Sequence, residues 1–414
     1  MNAPFREALA WLRFAGLNTL RNRRRSLVTV SIAALGTAAI LLAGGFALYT
    51  YQGLAQMSAR STGHLILARP AQFQRDEDVP LQHGLDDAAA LTRTLLADEH
   101  VRQVLPRVEF SGLISNGDKS TVMMAVGIDA DAEFAVKGPF VTVQSGRVLA
   151  TARDGRPTLA VMLGTGLARS LKAQPGSSLT LLASTTEGAL NALDVSVSGV
   201  ISTGVPELDQ RLVYTDVATA QKLLVTQRVS SLGIFLDRMD ATDPARERLA
   251  AGLHGLELQT WVQQAAFYRS VKELYNRIFG ALGLIIGVIV VFVVTNAMAM
   301  AIIERTREIG TLRALGTLPG QMLQTLALEG MVLGGAGALI GALVALGVSV
   351  MLLIVPVEMP PPPGRSSGYP LQIAIDPALY AGTLVAMVLL ATLASAWVAR
   401  RTVRTPVVEA LAHV

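Results

Sequence analysis

The sequence predicts an α-helical membrane protein with four transmembrane helices in a one-plus-three layout and a large α+β extracytoplasmic domain between helices one and two. Three observations carry this reading. Long apolar runs occupy residues 27–51, 278–303, 331–355 and 379–398, and about 20 apolar residues suffice to cross ~30 Å of hydrocarbon. Only the first run precedes the long polar-to-mixed stretch; the other three follow it. Arginines mark alternate span ends: Arg21, Arg23, Arg24 and Arg25 before the first run, Arg305, Arg307 and Arg313 between the second and third, and Arg400, Arg401 and Arg404 after the fourth. Lys and Arg close to span ends stay on the cytoplasmic side. Both termini and the second connection are therefore expected inside, with the large domain and the loop between spans three and four outside.

The elements follow in order. Residues 1–26 are expected in the cytoplasm, with an amphipathic helix over 4–20 that places Phe5, Leu9 and Leu12 on one face and sets Trp11 and Phe14 at a membrane interface. Helix one spans 27–51. Its apolar run is too long for a signal peptide and no small-residue site closes it, so it reads as an uncleaved anchor.

The extracytoplasmic domain, 52–275, alternates short strands with short helices, as α+β proteins do. Strands are expected at 64–68, 108–115, 121–128, 158–163, 178–183, 195–201, 212–215, 231–236 and 256–260. Helices are expected at 86–98, 164–171, 217–224 and 244–253, and 262–276 should continue into span two. Asn116 and Gly117 favour the positive φ angles of a hairpin turn. Residues 71–84, with Asp76, Glu77 and Asp78, read as a solvated loop. With no cysteine in the chain, this domain must fold without disulfides or thiolate metal sites.

Transmembrane helix two is expected at 276–303, a cytoplasmic coupling loop at 304–322, helix three at 323–357, an outer proline-rich loop at 358–377, helix four at 378–399 and a cytoplasmic tail at 400–414. Gly330 with Gly334, Gly337 with Gly341, and Gly283 with Gly287 are small-xxx-small steps. Such steps let helix backbones approach closely in lipid. The contact could lie within the chain or between two chains.

Composition limits function. The formal net charge is only +4 and the basic residues cluster at span ends, so a nucleic-acid partner is not indicated. There is no phosphate-binding G-x-x-x-x-G-K-[ST] and no H-E-x-x-H, and the five histidines are scattered. Catalysis within this chain is not expected, and neither is a resident cofactor or metal.

The connection from Glu304 to Gly316 is more specific. It is too polar to cross a membrane. Ile309, Leu312 and Leu315 form an apolar strip, and Glu304, Arg305, Glu308 and Arg313 supply charge. A short helix of this kind can dock into a partner's groove and pass motion to both adjoining spans; the alternative is a simple connector. Two polar residues fall at membrane depth. Asn296 in span two is placed to hydrogen-bond between helices. Glu329 near the start of span three is either a functional carboxylate or one that reaches back to the inner interface or an arginine there. In the outer loop, Pro360, Pro361, Pro362 and Pro363 favour an extended polyproline II segment that cannot pair in a sheet. Met359 and Tyr369 flank it, so this loop is a candidate gate, or else a stiff spacer.

The run from Glu304 to Gly316 resembles the E-R-x-R-E-I-G-x-L-R-A-L-G signature of FtsX-like ABC transporter permeases, which include MacB-type exporters and lipoprotein-releasing permeases. Residues 161–172 with Pro175 and Gly176 are similar to an outer-domain "LGxxLAxxL…GD" segment, although Ser177 stands in place of the aspartate. Residues 197–201 and 213–224 are similar to a further outer-domain stretch, and 406–411 to a terminal "PxEAL" ending.

The resemblance implies a permease subunit of a bacterial inner-membrane ABC complex, with no enzyme activity of its own. It implies separate cytoplasmic ATPase subunits that bind ATP and Mg, and a second permease chain, identical or paralogous. The work would be done outside, on membrane lipid, a lipoprotein, a peptide or an envelope protein. Coupling would run through Glu304–Gly316, with Glu308 and Arg313 as contacts. Two other classes stay open: an ATPase-driven regulator of an envelope enzyme such as a cell-wall hydrolase, and an ATPase-independent receptor or scaffold.

Overall fold

The computed structural model describes residues 23–74, 79–138, 141–150, 156–304, 310–311, 314–360 and 368–403. In chain order its elements begin with helix α1 (Arg23–Thr62), strand β1 (Leu65–Ala68), α2 (Pro70–Gln74), α3 (Ala88–Leu95), β2 (Val101–Ser115) and β3 (Ser120–Ile128). They continue with α4 (Ala130–Lys137), β4 (Thr142–Gly146), β5 (Ala160–Gly164), α5 (Thr165–Ser170), β6 (Ser178–Ser184), β7 (Leu190–Ser202), α6 (Pro206–Asp209) and β8 (Leu212–Asp216). Next come α7 (Val217–Leu224), β9 (Ser231–Leu236), a 3-10 turn, α8 (Thr242–Ala250), β10 (Glu257–Thr260) and α9 (Trp261–Gln264). The last are α10 (Ala266–Glu304), α11 (Pro319–Ile354), β11 (Val357–Met359), β12 (Tyr369–Leu371) and α12 (Pro377–Val403). Two compact units result: Met1–Tyr51, Val271–Val357 and Pro370–Val414 form one, and Gln52–Ser270 with Glu358–Tyr369 the other.

The first unit holds the membrane bundle. Among the described residues, four helices are long and apolar enough to cross a bilayer, one near the N-terminus and three towards the C-terminus. Local chemistry sets their ends. α1 runs past the apolar stretch until Gly63, whose φ of 108° and N–H to Ala59 O bond of 2.8 Å close it; glycine adopts that backbone at no steric cost. Pro319 opens α11 at a position where its missing N–H is not needed. Asp376 Oδ1 accepts from Leu379 N at 2.7 Å and caps α12.

α11 is packed on two sides through its small residues. A Cβ at Gly330 would collide with Ser395 Oγ, and one at Gly334 with the Ala391 methyl, both on α12. A Cβ at Gly337 would meet the Ala33 methyl, and one at Gly341 the Ala34 carbonyl oxygen, both on α1. The glycines of span three therefore make contacts within the chain.

The second unit is built on a long shared strand. Val101–Arg107 of β2 pairs with β9, which leads to β1 and β10 in an open antiparallel sheet. Val108–Ser115 of the same strand pairs with β3, and Leu113–Ser115 with β6. From β3 the path runs through β8, β5 and β7 back to β6, so six strands close into a ring, with parallel pairs at β3–β8 and β5–β7. Pro106 pairs only with β9, just before β3 joins at Val108. The strand thus has a free side where proline lacks its N–H. Alternating inward residues such as Val108, Phe110, Ile114, Met123 and Ala125 feed one large apolar core.

Several expectations need correction. Residues 71–84 are not loop throughout, because α2 covers Pro70–Gln74. α4 and β4 were not anticipated; α4 is short and mixed in polarity, and β4 is largely exposed. β7 begins at Leu190 because its exposed first half follows β6 register by register, from Ser184 opposite Leu190. The outer loop does contribute sheet pairing: β11 and β12 pair with each other on either side of the proline run. The proline run restricts only its own backbone, and the flanking strands keep their N–H groups except at Pro370, the middle residue of β12. The amphipathic helix expected at 4–20, the acidic residues Asp76–Asp78 and the tail beyond 403 lie outside the described residues.

Candidate functional site

The connection between spans two and three ends α10 at Glu304 and restarts the helix at Pro319. Leu315 N donates to Thr311 O at 3.0 Å. Gly316 follows at φ 100°, a backbone that favours glycine. Leu315 is 84% exposed and Leu318 63%. Both leucines are thus exposed on this polar connection. Arg305, Glu308, Ile309, Leu312 and Arg313 lie outside the described residues.

Glu329 is only 4% exposed and is held by a polar or electrostatic contact. Asn296 does the opposite: it is exposed on α10, and its amide has no side-chain partner among the described residues. In the outer loop Met359 is half-buried in β11, Pro360 is exposed, and Tyr369 begins β12. Pro361, Pro362 and Pro363 lie outside the described residues. The string Gly364-Arg365-Ser366-Ser367-Gly368 has the letter spacing of a nucleophile elbow. Its residues 364–367 lie outside the described residues.

The outer unit contains two features that sequence reasoning missed. Arg107 Nη2 donates to Glu133 Oε1 at 2.6 Å, Lys137 Nζ reaches the same oxygen at 3.0 Å, and Lys137 also donates to the Tyr214 hydroxyl at 2.8 Å. Glu133 is 1% exposed. Burial pushes its carboxyl up, but Arg107 and Lys137 outweigh this and hold it below the ordinary value. The i, i+4 spacing of Glu133 and Lys137 was visible in the sequence; Arg107 arrives only through the fold. His64 is held below its usual pKa by burial and by Arg60, against the pull of Asp237. Its Nδ1 accepts from Leu236 N at 3.1 Å, which fits a neutral ring.

The second feature is a cavity of about 730 Å³ lined by Thr121, Arg169, Ser170, Gln210 and Arg211, among others. Next to it β2 and β3 turn Leu113, Val122 and Met124 outward. Gly164 and Gly166 allow α5 to press on Asp209 and Gln210, since a Cβ at either would strike them. Asp209 is buried and accepts from Ser202 Oγ, Thr203 N and Thr203 Oγ1 at 2.8, 2.9 and 2.7 Å. The result is a basic, partly apolar surface held by a rigid turn. No cluster of metal-binding side chains occurs among the described residues.

Two domain families match this chain in tandem: the MacB-like periplasmic core domain over residues 26–251 and the FtsX-like permease C-terminal domain over 280–407. The chain belongs to the FtsX-like permeases that carry a MacB-like periplasmic core. Among its relatives is the lipoprotein-releasing system transmembrane protein LolE of Haemophilus influenzae, 27% identical over 63% of each chain. The corresponding LolC of Xylella fastidiosa is 25% identical over 79% of each. The macrolide export ATP-binding/permease protein MacB of Sodalis glossinidius is 25% identical over 78% of this chain and 50% of its own. The chain thus spans under two thirds of the LolE relative and half of that MacB.

In this FtsX-like permease the Glu304–Gly316 connection lies inside the matched permease region, and the cavity with Arg169 and Arg211 lies inside the matched periplasmic core.

Proposed function

We propose that this chain is the membrane subunit of an ABC transporter that extracts lipoprotein or lipid from the outer leaflet of a bacterial inner membrane. Separate cytoplasmic ATPase subunits bind ATP and Mg, and a second permease chain completes the complex. The observation that supports this most is the tandem match of periplasmic core and permease C-terminal domain, with LolE and LolC among the relatives. In this reading both termini and the Glu304–Gly316 connection face the cytoplasm, which the arginines near the span ends support.

The mechanism follows from stiffness. An ATPase that grips Leu315 and Leu318, together with Glu308 and Arg313, moves the inner ends of α10 and α11 as a pair. α1 and α10 are each continuous helices of 40 and 39 residues, so a displacement at one end is carried along the helix. On the outer side, the apolar and basic surface around Val122, Arg169 and Arg211 suits an acidic protein that receives the cargo.

The test is co-purification and turnover. Glu308→Ala with Arg313→Ala should leave insertion intact and weaken ATPase association, each contact contributing about 1–3 kcal/mol. Leu315→Ser should add a further loss of ~1.5–3 kcal/mol, the scale of one buried leucine. Mass spectrometry of the purified complex should find lipoproteins. Unchanged association in the triple variant would sink the coupling role. An impermeant reagent that labels Thr306→Cys in intact cells would refute the orientation.

A further inference from the structure

The cavity in the outer unit carries a charge that no described residue neutralises. Arg169 lies in the last turn of α5 and Arg211 just before β8, and both line the cavity with Thr121, Ser170 and Gln210. No carboxylate lines it among the described residues. Neither arginine has an ion pair or a side-chain hydrogen bond among those residues. Other arginines of this unit are paired: Arg69 and Arg228 share Asp86, Arg238 holds Asp240 and Arg248 holds Asp98. Asp209, the acid nearest to Arg211 in sequence, is taken up elsewhere. It is buried and accepts from Thr165, Ser202 and Thr203.

The backbone around the cavity is fixed from three sides. The tip of the β2–β3 hairpin is tied to the end of α5: Asn116 Nδ2 donates to Leu171 O at 2.9 Å, and Lys119 Nζ to Ser170 Oγ at 2.8 Å. Lys119 thereby adds a third cation beside the two arginines. On β3, Met124 N donates to Arg211 O at 2.8 Å. Gln210 N and Arg211 N close the turn after α6 by donating to Pro206 O at 3.1 Å and Leu208 O at 3.0 Å. A ligand that enters therefore orders side chains only, and the entropic cost of binding is small.

We infer that this cavity binds a phosphate monoester through Arg169 and Arg211. Charge selects the class. Two guanidinium groups with Lys119 beside them call for more than one negative charge; a phosphate monoester supplies about −1.5 to −2 at pH 7, a carboxylate only one. The donors agree. A guanidinium is a planar fork that meets phosphate oxygens two at a time, and Thr121, Ser170 and Gln210 offer hydroxyl and amide donors for the rest. Size adds a body to the ligand. A volume of about 730 Å³ is that of a small-molecule site, far more than one phosphate fills. Two sources share this chemistry. One is a soluble polyol or sugar phosphate; the other is the head of a phosphatidic acid, whose chains would lie along the exposed Leu113, Val122 and Met124. The inference goes beyond the proposed role in cargo release and needs neither ATPase nor cargo. A receiving protein at this surface would compete with the ligand, and none is present in the test.

The test is calorimetric titration of the full chain, purified in a nonionic detergent, with glycerol 3-phosphate. One saturable site is expected. Arg169→Ala and Arg211→Ala should each weaken it about 10-fold or more, the scale of a hydrogen bond to a charged group. Arg93→Ala removes the same charge from an exposed position on α3 and should leave binding unchanged. Both cavity arginines are exposed, so their variants should melt with the parent. Arg211→Lys should bind at an intermediate level, because it keeps the charge and loses the fork. Glycerate, the same body with a carboxylate, should bind at least about 10-fold more weakly than the phosphate ester. Dihexanoyl phosphatidic acid separates the sources. Tighter binding that still depends on Arg211 and falls in Val122→Ser assigns a lipid head; equal or weaker binding assigns a soluble ester. No saturable binding of either ester, equal loss in Arg93→Ala, or glycerate binding as tightly as glycerol 3-phosphate would overturn the inference.

Discussion

Spans two and three carry glycines at similar spacing and use them differently. On α11, Gly330 and Gly334 meet α12 and Gly337 and Gly341 meet α1. Among the described residues, a Cβ at Gly280 or Gly283 of α10 would have nothing within 4 Å, and one at Gly287 would meet only a Leu390 methyl at 3.9 Å. The difference lies in what stands opposite. Small side chains at Ala33, Ala34, Ala391 and Ser395 let backbones close on α11, whereas α10 reaches the bundle with larger ones, Val290, Val294 and Met298. Glycine spacing permits close approach; the facing surface decides whether it happens.

The largest effect should come from filling both sides of α11. Gly330→Val with Gly341→Val acts at two separate interfaces, each an overpacked contact of ~1–3 kcal/mol, so the pair should cost about 2–6 kcal/mol. The full chain in detergent should lose most of its folded yield. Gly280→Val with Gly283→Val should leave the melting midpoint within error. Equal damage from the two pairs would break the comparison.

The outer unit offers the same contrast between two ion pairs. Arg107–Glu133 is buried and shared with Lys137, whereas Arg238–Asp240 is exposed. Removing Glu133 by Glu133→Ala leaves two buried cations uncompensated and should cost about 3–5 kcal/mol. Asp240→Ala should not move the melting midpoint measurably.

Acid should find the same group. The Glu133 carboxyl is depressed below its ordinary 4.5. Its contribution is complete above 4.5, the unfolded value, and is lost as pH falls through the lower folded value. Thermal melts below pH 4.5 should therefore lose stability less steeply in Glu133→Gln than in the parent. Parallel curves would assign the acid sensitivity to other carboxylates.

The smallest effect is expected at Gly316→Ala. No described atom lies within 4 Å of its Cβ, but its φ of 100° is strained for any other residue, a cost of about 1 kcal/mol. The readout is ATPase association, which should weaken slightly if the turn presents Leu315. A variant that binds as well as the parent would make that turn dispensable.

Much of the fold was legible because its signals are local. Apolar run length gave the four spans, and α7 and β9 match their expected limits of 217–224 and 231–236. Asp216 at the start of α7 accepts from Thr219 N at 2.8 Å, a capping signal carried by the sequence itself. The misses were elements whose reason lies elsewhere. β4 is exposed and exists because β7 offers it an edge. α4 is short, and its Glu133 and Lys137 are held by Arg107 and Tyr214 from distant strands.

The candidate site divides in the same way. The Glu304–Gly316 motif and the proline run could be read as strings, and so could Asn296 and Glu329 as polar letters in apolar text. Their environments could not. Only the packed bundle separates a buried Glu329 from an outward Asn296, and only the ring of strands brings Arg169 beside Arg211. Chain-local physics, namely hydrophobic length, capping and backbone restriction, was fixed by the order of residues. Which faces meet was decided by tertiary structure, because contact depends on the shapes that distant segments present to one another.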